Sequence, residues 1–299
     1  MTKIIYLFFS LCFFGSCVSQ ITKEDLNYLA SSKRKILYSD DENYYYLFDV
    51  DKKKDYLLGK YSSWDFFNSQ INSYSFAPKG DKIFFVKNTP SFNGILVLDI
   101  RSNETTEIPL KTERFTDIDF LDDENIFFSY YSDVYLYSLG KKSTTYISEV
   151  DRFAILEINL NSNKTVLAIE SMVQTDKNSY GPIVDFLNLE TRNTTNTIQA
   201  EFIGWLDDSN ICIKDSIYKI INLKTNETID LGKKYDDSLR IFRISKIKEA
   251  EYLLAGSIDT SSNYNATDSG VFLKIDDSLT KIFTIQEEKR IFLDVFYKN

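Results

Sequence analysis

The chain carries carboxylates in patterns that could bind a metal ion and activate water for hydrolysis. Asp49, Asp51 and Asp55 have a spacing that hints at calcium ligation. The segment nevertheless lacks the glycine and the distal glutamate of a helix–loop–helix calcium site. Adjacent aspartates also recur, at Asp40-Asp41, Asp122-Asp123, Asp207-Asp208, Asp236-Asp237 and Asp276-Asp277.

Composition restricts other kinds of chemistry. The 299 residues include no histidine, which removes histidine zinc sites, Ser-His-Asp and Cys-His catalysis and the commonest general base. The sequence contains no glycine-rich phosphate loop and no nucleophile elbow. The formal charge of -9 repels phosphate backbones. We therefore predict no cofactor, no bound metal and no nucleic-acid partner.

The first residues resemble a bacterial lipoprotein signal. Lys3 precedes an apolar run from Ile4 to Phe14, which is too short to span a bilayer and suits a signal peptide. The run leads into Gly15-Ser16-Cys17, which resembles a lipobox with Phe14 where Leu is usual. This resemblance implies lipidation at Cys17 and a place in the bacterial envelope, facing the periplasm or the cell surface. An ordinary secretory signal cleaved near Ser16 or Ser19 is the alternative.

The domain boundaries follow from this signal. Residues 1–16 are predicted to be the signal peptide, residues 17–32 a spacer from the anchor, and residues 33–299 one folded domain. Thr22, with Asp25 three residues later, could cap a short helix inside the spacer.

Six units of short strands recur along the domain. We aligned them on the first apolar residue of the second strand, and these residues are 40 to 47 positions apart: Ile36, Ile83, Ile126, Val166, Ile211 and Tyr252. Most third strands close on Asp or Asn, and one closes on Ser, each of which can start a turn: Asp49, Asp99, Ser138, Asn188, Asn222 and Asp276. The pairs Asp122-Asp123 and Asp207-Asp208 lie in the turn between first and second strands, and Asp276-Asp277 lies in a turn after a third strand. Turn formation therefore explains these pairs better than catalysis.

The first unit lacks a first strand, whereas residues 291–297 form a spare strand at the other end. A closed ring needs this arrangement, because the last strand completes the first sheet and leaves no edge open. We predict an all-β fold, a six-bladed β-propeller of four-stranded antiparallel blades closed by the C-terminal strand. An open sandwich is the alternative, but it gives no reason for six periods.

The segment Phe76-Ala77-Pro78-Lys79-Gly80-Asp81-Lys82-Ile83-Phe84-Phe85 resembles the TolB-type, WD-repeat-like propeller unit. Looser versions of its turn occur at Phe120–Ile126 and at Trp205–Ile211. The resemblance implies a fold and little about function, since propellers host many functions.

Loops between second and third strands are long in alternate units: Lys87 to Gly94, Ser171 to Pro182 and Ser257 to Gly270. Aromatic and amide residues in them, and in the connection from Gly59 to Ser73, are predicted to contact a partner: Trp64, Phe66, Phe67, Phe92, Asn93, Tyr180 and Tyr264. Tolerated insertion is the alternative explanation of these loops.

The predicted function is a non-catalytic binding or scaffold module of the bacterial cell envelope. It would recognise a protein or a glycan through one loop face and would reach the membrane through its lipid anchor. The alternative is a metal-assisted hydrolase or lactonase that uses carboxylates in the propeller channel.

Overall fold

The computed structural model describes residues 21–39, 44–60, 70–88, 92–110, 116–150, 154–176, 179–230, 239–248, 251–259, 267–275, 278–284 and 294–297. In this part of the chain one helix, α1 (Lys23–Ser31), precedes a series of strands. No helix among these residues has the length and apolar character needed to cross a membrane.

The strands form four-stranded antiparallel sheets, six in the described ranges. The first three sheets contain β1 (Arg34–Ser39), β2 (Tyr44–Asp49) and β3 (Lys54–Lys60); β4 (Gln70–Phe76), β5 (Lys82–Asn88), β6 (Asn93–Asp99) and β7 (Glu104–Pro109); and β8 (Ile118–Phe120), β9 (Asn125–Tyr130), β10 (Asp133–Ser138) and β11 (Ser143–Glu149). The fourth and fifth contain β12 (Ile155–Leu160), β13 (Val166–Asp176), β14 (Ser179–Asn188) and β15 (Thr194–Ile198); and β16 (Glu201–Trp205), β17 (Asn210–Lys214), β18 (Tyr218–Asn222) and β19 (Thr228–Asp230). The sixth contains β20 (Leu239–Lys248), β21 (Glu251–Asp259), β22 (Thr267–Ile275) and β23 (Ser278–Thr284), and β24 (Asp294–Tyr297) belongs to the first.

The chain therefore folds as an all-β propeller whose blades are four-stranded antiparallel sheets, as the repeat predicts. The first strands of successive sheets contact one another in order, from β24 and β4 through β8, β12 and β16 to β20. The predicted return of the C-terminal strand is confirmed for β24, which pairs with β1 through Ile36 opposite Val295.

The hydrophobic cores lie between neighbouring sheets, and β5 shows why its sequence is apolar on consecutive residues. Ile83 and Phe85 belong to the core shared with the first sheet, whereas Phe84 and Val86 belong to the core shared with the third. The Phe84 ring meets Phe120 edge to face, with ring centroids 4.4 Å apart. Both faces of the strand are buried, so alternation of apolar and polar residues is lost.

Packing of the fifth sheet against the sixth depends on a glycine. A Cβ atom added to Gly204 would lie 2.6 Å from the carbonyl oxygen of Ile244. Any larger residue would separate β16 from β20 or distort them, because real Cβ atoms do not approach so closely. Ile244 is itself buried.

Helix α1 is more than a spacer. Thr22 and Asp25 form the predicted capping box, in which the Thr22 hydroxyl accepts from the Asp25 amide. Leu29 and Ala30 are buried in the core between the first two sheets. Residues 23–31, which the sequence assigned to the spacer, are thus part of the first packed unit. The sequence alone did not indicate this packing, because Leu29 and Ala30 meet the residues of both sheets only in the folded chain.

Candidate functional site

The two ends of the sheets differ in the connections they carry. In an antiparallel sheet of this topology, hairpins between second and third strands lie at the same end as the connections between sheets. We call this end the hairpin face. The other end, the turn face, carries the turns between first and second strands and between third and fourth strands.

The turn face is built from side chains that cap their own turns. The Asp99 carboxylate accepts from the amides of Arg101 and Ser102 at 2.9 and 3.2 Å, as predicted for a residue that closes a third strand. Asn188 and Asn222 do the same in their sheets. Each such turn ends on a non-glycine residue with φ between 51° and 59°: Lys53, Asn103, Lys142, Arg192 and Asn226. These residues are polar or charged, and their backbone conformation closes the turns.

The acidic pairs on this face are turn formers, as predicted. Asp122 accepts from the amides of Glu124 and Asn125, and Asp207 caps the equivalent turn of the fifth sheet. Their neighbours link sheets, because Asp123 forms an ion pair with Lys79 at 2.5 Å and Asp208 accepts from the Asn163 amide at 2.8 Å. The pairs Asp40-Asp41, Asp236-Asp237 and Asp276-Asp277 lie outside the described residues.

The calcium-like spacing does not produce a calcium site. Asp49 is buried and accepts from the Ser32 hydroxyl at 2.6 Å, whereas Asp51 pairs with Arg34. Asp55 accepts from the Tyr38 hydroxyl at 2.8 Å. The three carboxylates therefore serve three different partners. In the described part of the chain, no three acidic or cysteine side chains are grouped closely enough to hold a metal ion.

Carboxylates on the innermost strand of the third sheet are used to join sheets. Asp117 accepts from the Ile158 amide at 2.7 Å, and Asp119 accepts from the Leu160 amide at 2.6 Å. Burial raises the pKa of the Asp119 carboxyl, against the lowering effects of Lys164 and of the Leu160 and Phe120 amides. The two side chains join β8 and the residue before it to β12.

The buried cation Lys35 was missed by sequence reasoning. Its side chain is fully buried and donates to the carbonyl oxygens of Leu29 and Gly80, the latter at 2.5 Å. It thereby joins the helix, the first sheet and the second sheet. Burial lowers the pKa of the Lys35 ammonium to about 8, although Asp81 and Asp49 act in the opposite direction. No local pattern separates this lysine from the exposed Lys33.

The predicted long loops are in large part extended hairpins. β13 and β14 remain paired through Gln174 opposite Tyr180 and out to Asp176 opposite Ser179, inside the segment predicted as a loop from Ser171 to Pro182. β21 and β22 likewise pair out to Asp259 opposite Thr267. Strand pairing continues along the first of these arms although Met172 faces Pro182 and Val173 faces Gly181, and Pro and Gly are residue types that disfavour strands. The loop assignment was therefore wrong for the arms.

Two predicted contact residues lie at the second sheet's hairpin. Phe92 and Asn93 are half-buried, and the Phe92 ring lies so close to Gly94 that an added Cβ would be 2.9 Å from it. The Lys87 ammonium is 5.3 Å from the centre of the same ring. Phe92 is thus partly a packing residue. Trp64, Phe66, Phe67, Tyr264 and Cys17 lie outside the described residues.

Exposed large apolar side chains concentrate on the hairpin face. Tyr180 is 55% exposed, Tyr131 54%, Leu156 47% and Ile217 37%. All four belong to hairpin ends or to the start of a first strand. The other two in the described chain, Tyr146 and Ile229, lie on outermost strands, and none lies in the turns of the opposite face. Of the four residues, only Tyr180 was predicted from the sequence.

Tyr131 has a backbone conformation that is unusual for an aromatic residue. It sits at the tip of the β9–β10 hairpin with φ of 52°, a region that glycine and asparagine favour. Its carbonyl oxygen accepts from the Ile155 amide at 2.7 Å, which ties the tip to the next sheet. Its ring meets the Tyr130 ring edge to face, with centroids 4.7 Å apart. The side chain is therefore held in place while half of it faces solvent.

Comparison with solved structures supports the fold. The chain resembles a chain in the crystal structure of a nidogen/laminin complex, with a TM-score of 0.63, 9% identity and coverage of 88% of this chain and 98% of the other. It also resembles TolB from Acinetobacter baumannii, with a TM-score of 0.61, 14% identity and coverage of 90% and 68%. A chain of a mitotic checkpoint complex gives a TM-score of 0.54, 11% identity and coverage of 85% and 76%. The TolB-like propeller fold is thus supported.

Comparisons of the amino-acid sequence, by contrast, found no match. No protein-family model and no curated protein sequence matches the chain. At these identities the structural likeness shows the fold alone.

Proposed function

We propose that the protein is a non-catalytic scaffold that binds another protein through the hairpin face of its propeller. The observation that carries this proposal is the one-sided distribution of exposed large apolar residues: of the six among the residues whose side-chain exposure the structure describes, four lie on that face. Scattered exposed apolar residues are ordinary, but a grouping at one end is typical of interaction surfaces. Two of the structural neighbours come from protein complexes, which favours the protein among the two kinds of partner, protein or glycan, that the sequence predicted.

The two faces are chemically distinct, which supports the same proposal. The turn face uses its polar side chains to cap turns and to join sheets, as at Asp99, Asp122 and Asp208. The hairpin face instead carries paired arms that extend beyond the neighbouring strands of their sheet, as at Tyr180 opposite Gln174. We include Trp64, Phe66, Phe67 and Tyr264 in the proposed surface, because the sequence places them in connections of the hairpin face.

Affinity capture from native membranes tests the proposal with two matched variants. The face variant replaces Tyr180 and Ile217 with Ala, and the control variant replaces Tyr146 and Ile229 with Ala. Each removes one Tyr and one Ile that are exposed. We expect the face variant to lower partner recovery about tenfold or more, because buried aromatic anchors dominate interface energies. The control variant should recover the partner as wild type does.

Equal recovery by both variants would contradict the proposal. The melting temperature of each variant is measured in parallel, since loss of folding would also lower recovery. We expect both variants to melt close to wild type, because surface substitutions change stability by roughly 0.5 kcal/mol or less.

The finer architecture is also proposed. We infer that all six sheets form one closed ring, with β24 as the innermost strand of the first blade. The pairing of β24 with β1 and the contact of β24 with β4 support this inference. Closure leaves no innermost edge open to unwanted strand pairing.

Membrane attachment through Cys17 is a further part of the proposal, supported by the lipobox resemblance of residues 14–17. The domain would then be held at the bacterial envelope. Replacing Cys17 with Ala should move the protein from the detergent phase to the aqueous phase on phase partitioning and abolish fatty-acid labelling. Unchanged partitioning would leave only an ordinary secretory signal. The alternative of a metal-assisted hydrolase or lactonase stays a prediction.

A further inference from the structure

We propose that the hairpin face holds its partner between the third and fourth sheets, and that the contacting segment carries an apolar side chain flanked by Lys or Arg. This inference rests on the proposed function and specifies the partner's chemistry. It joins two independent observations, the geometry of an apolar pair and the charge around it.

The apolar pair is Tyr131 and Leu156. The Tyr131 carbonyl accepts from the amide of Ile155, the residue before Leu156, so the two exposed residues lie at neighbouring points of adjacent sheets. Leu156 is exposed because β12 bulges there: Ile155 pairs with Ser171 and Glu157 with Glu170, which leaves Leu156 as the extra residue. Bulges re-aim side chains and often lie beside functional sites.

Tyr131 occupies its position at an energetic cost. A left-handed backbone costs a non-glycine residue roughly 1–2 kcal/mol, and two-residue hairpins favour Asn, Asp or Gly at such positions. Retaining an exposed tyrosine there is explained if its ring makes a contact outside the chain. The cross-sheet hydrogen bond and the Tyr130 ring hold it before binding, which lowers the entropic cost of association.

The charge beside the apolar pair is negative, because acidic residues lie directly opposite each other on neighbouring strands. Asp133, which is half-buried, lies opposite the exposed Glu149 on β10 and β11. Like charges directly opposite each other destabilise a sheet. A cation placed between the members of a pair would relieve that repulsion, so the geometry favours a basic partner.

The charge balance of the wider region agrees. On the hairpin face of sheets three to five, Asp176, Glu201, Asp215 and Asp230 add to these acids, whereas the described basic residues there are Lys214 and Lys219. Lys219 is already paired with Asp215 at 2.5 Å. A second copy of this chain would present the same acidic face and be repelled, so the occupant is a different, basic protein.

Two synthetic peptides serve as probes. They share the same Leu and Trp positions, and between these positions one peptide carries Lys and the other carries Glu. Binding is followed by fluorescence anisotropy at low and high salt. We expect the wild type to bind the Lys peptide and to discriminate against the Glu peptide by about tenfold or more. The preference should shrink at high salt.

Substitutions at two left-handed positions separate binding from folding. Tyr131→Asn should weaken binding of the Lys peptide about tenfold. The melting temperature should rise or stay unchanged, because Asn lowers the energetic cost of the left-handed backbone. Lys142→Asn, at φ of 51° on the turn face of the same sheet, is the matched control and should leave binding unchanged. Joint replacement of Asp133 with Asn and Glu149 with Gln should reduce the preference for the Lys peptide.

This inference is overturned if both peptides bind equally, if neither binds, or if the Tyr131→Asn variant binds the Lys peptide as tightly as wild type does. The proposed function fails separately, if membrane capture does not depend on Tyr180 and Ile217. Capture that depends on those residues, together with a preference for the Glu peptide, would retain the scaffold proposal and reject the basic partner.

Discussion

Ending the chain after Arg290 should lower the free energy of unfolding by roughly 4 kcal/mol or more. Removal of β24 exposes the backbone edge of β1 along its register pairs from Arg34–Tyr297 to Leu37–Asp294, and each lost hydrogen bond contributes about 1 kcal/mol. It also removes the contact of β24 with β4. The melting temperature should fall by on the order of 8 °C or more. Thermal and denaturant unfolding measure the change.

A chain that lacks only Lys298 and Asn299 is the control, because these residues follow β24 and should affect stability little. We also expect the longer truncation to aggregate at high concentration, since an unpaired inner edge can pair with other chains. An unchanged melting temperature after loss of residues 291–299 would contradict ring closure by β24.

Replacing Lys35 with Met should cost roughly 3–5 kcal/mol, the usual effect of removing one partner from a buried charged group. The substitution abolishes hydrogen bonds to the Leu29 and Gly80 carbonyl oxygens and removes the positive charge that interacts with buried Asp49. Lys79→Met is the control on the surface, where loss of the ion pair with Asp123 should cost about 1 kcal/mol or less. Denaturant unfolding compares the two.

The pH dependence of stability tests the same lysine. Its pKa is about 8 in the folded protein and 10.5 when unperturbed, so the unfolded state binds more protons between these values. The contribution of Lys35 to the free energy of unfolding therefore increases as the pH rises from 8 to 10.5, and it is lost as the pH falls back to 8. The difference in the free energy of unfolding between wild type and Lys35→Met should increase from pH 8 to 10.5, by up to about 1.4 kcal/mol per pH unit. A constant gap, or one that narrows, would show that Lys35 is not desolvated.

The repeat predicted the fold because turn chemistry is local. Asp99 and Asn188 cap turns through their own backbone neighbours, and that relation can be read from a few residues. Buried runs such as Ile83 to Val86 also identify strands covered on both faces. The position of Lys35 could not be predicted this way. Its carbonyl partner at Gly80 is 45 residues distant, and only the packed fold brings them together.

The binding surface was harder to predict than the fold. Tyr180 was identified because its segment is conspicuously long, although that segment proved to be paired strand in its arms. Tyr131 lies in a short hairpin and has a positive φ that its residue type argues against. Leu156 is exposed through a bulge, which depends on the register of β12 with β13. A consecutive pair of tyrosines at a hairpin tip was the one available signal for Tyr131.

Site-specific photocrosslinking in intact cells tests the binding face most directly. A photoreactive phenylalanine analogue is placed at Tyr180 or Ile217 on the hairpin face, and at Tyr146 or Ile229 on outermost strands. The proposal predicts that both hairpin-face positions crosslink to the same protein and that neither outer position does. Crosslinks from the outer positions alone, or equally from all four, would contradict a binding function of the hairpin face.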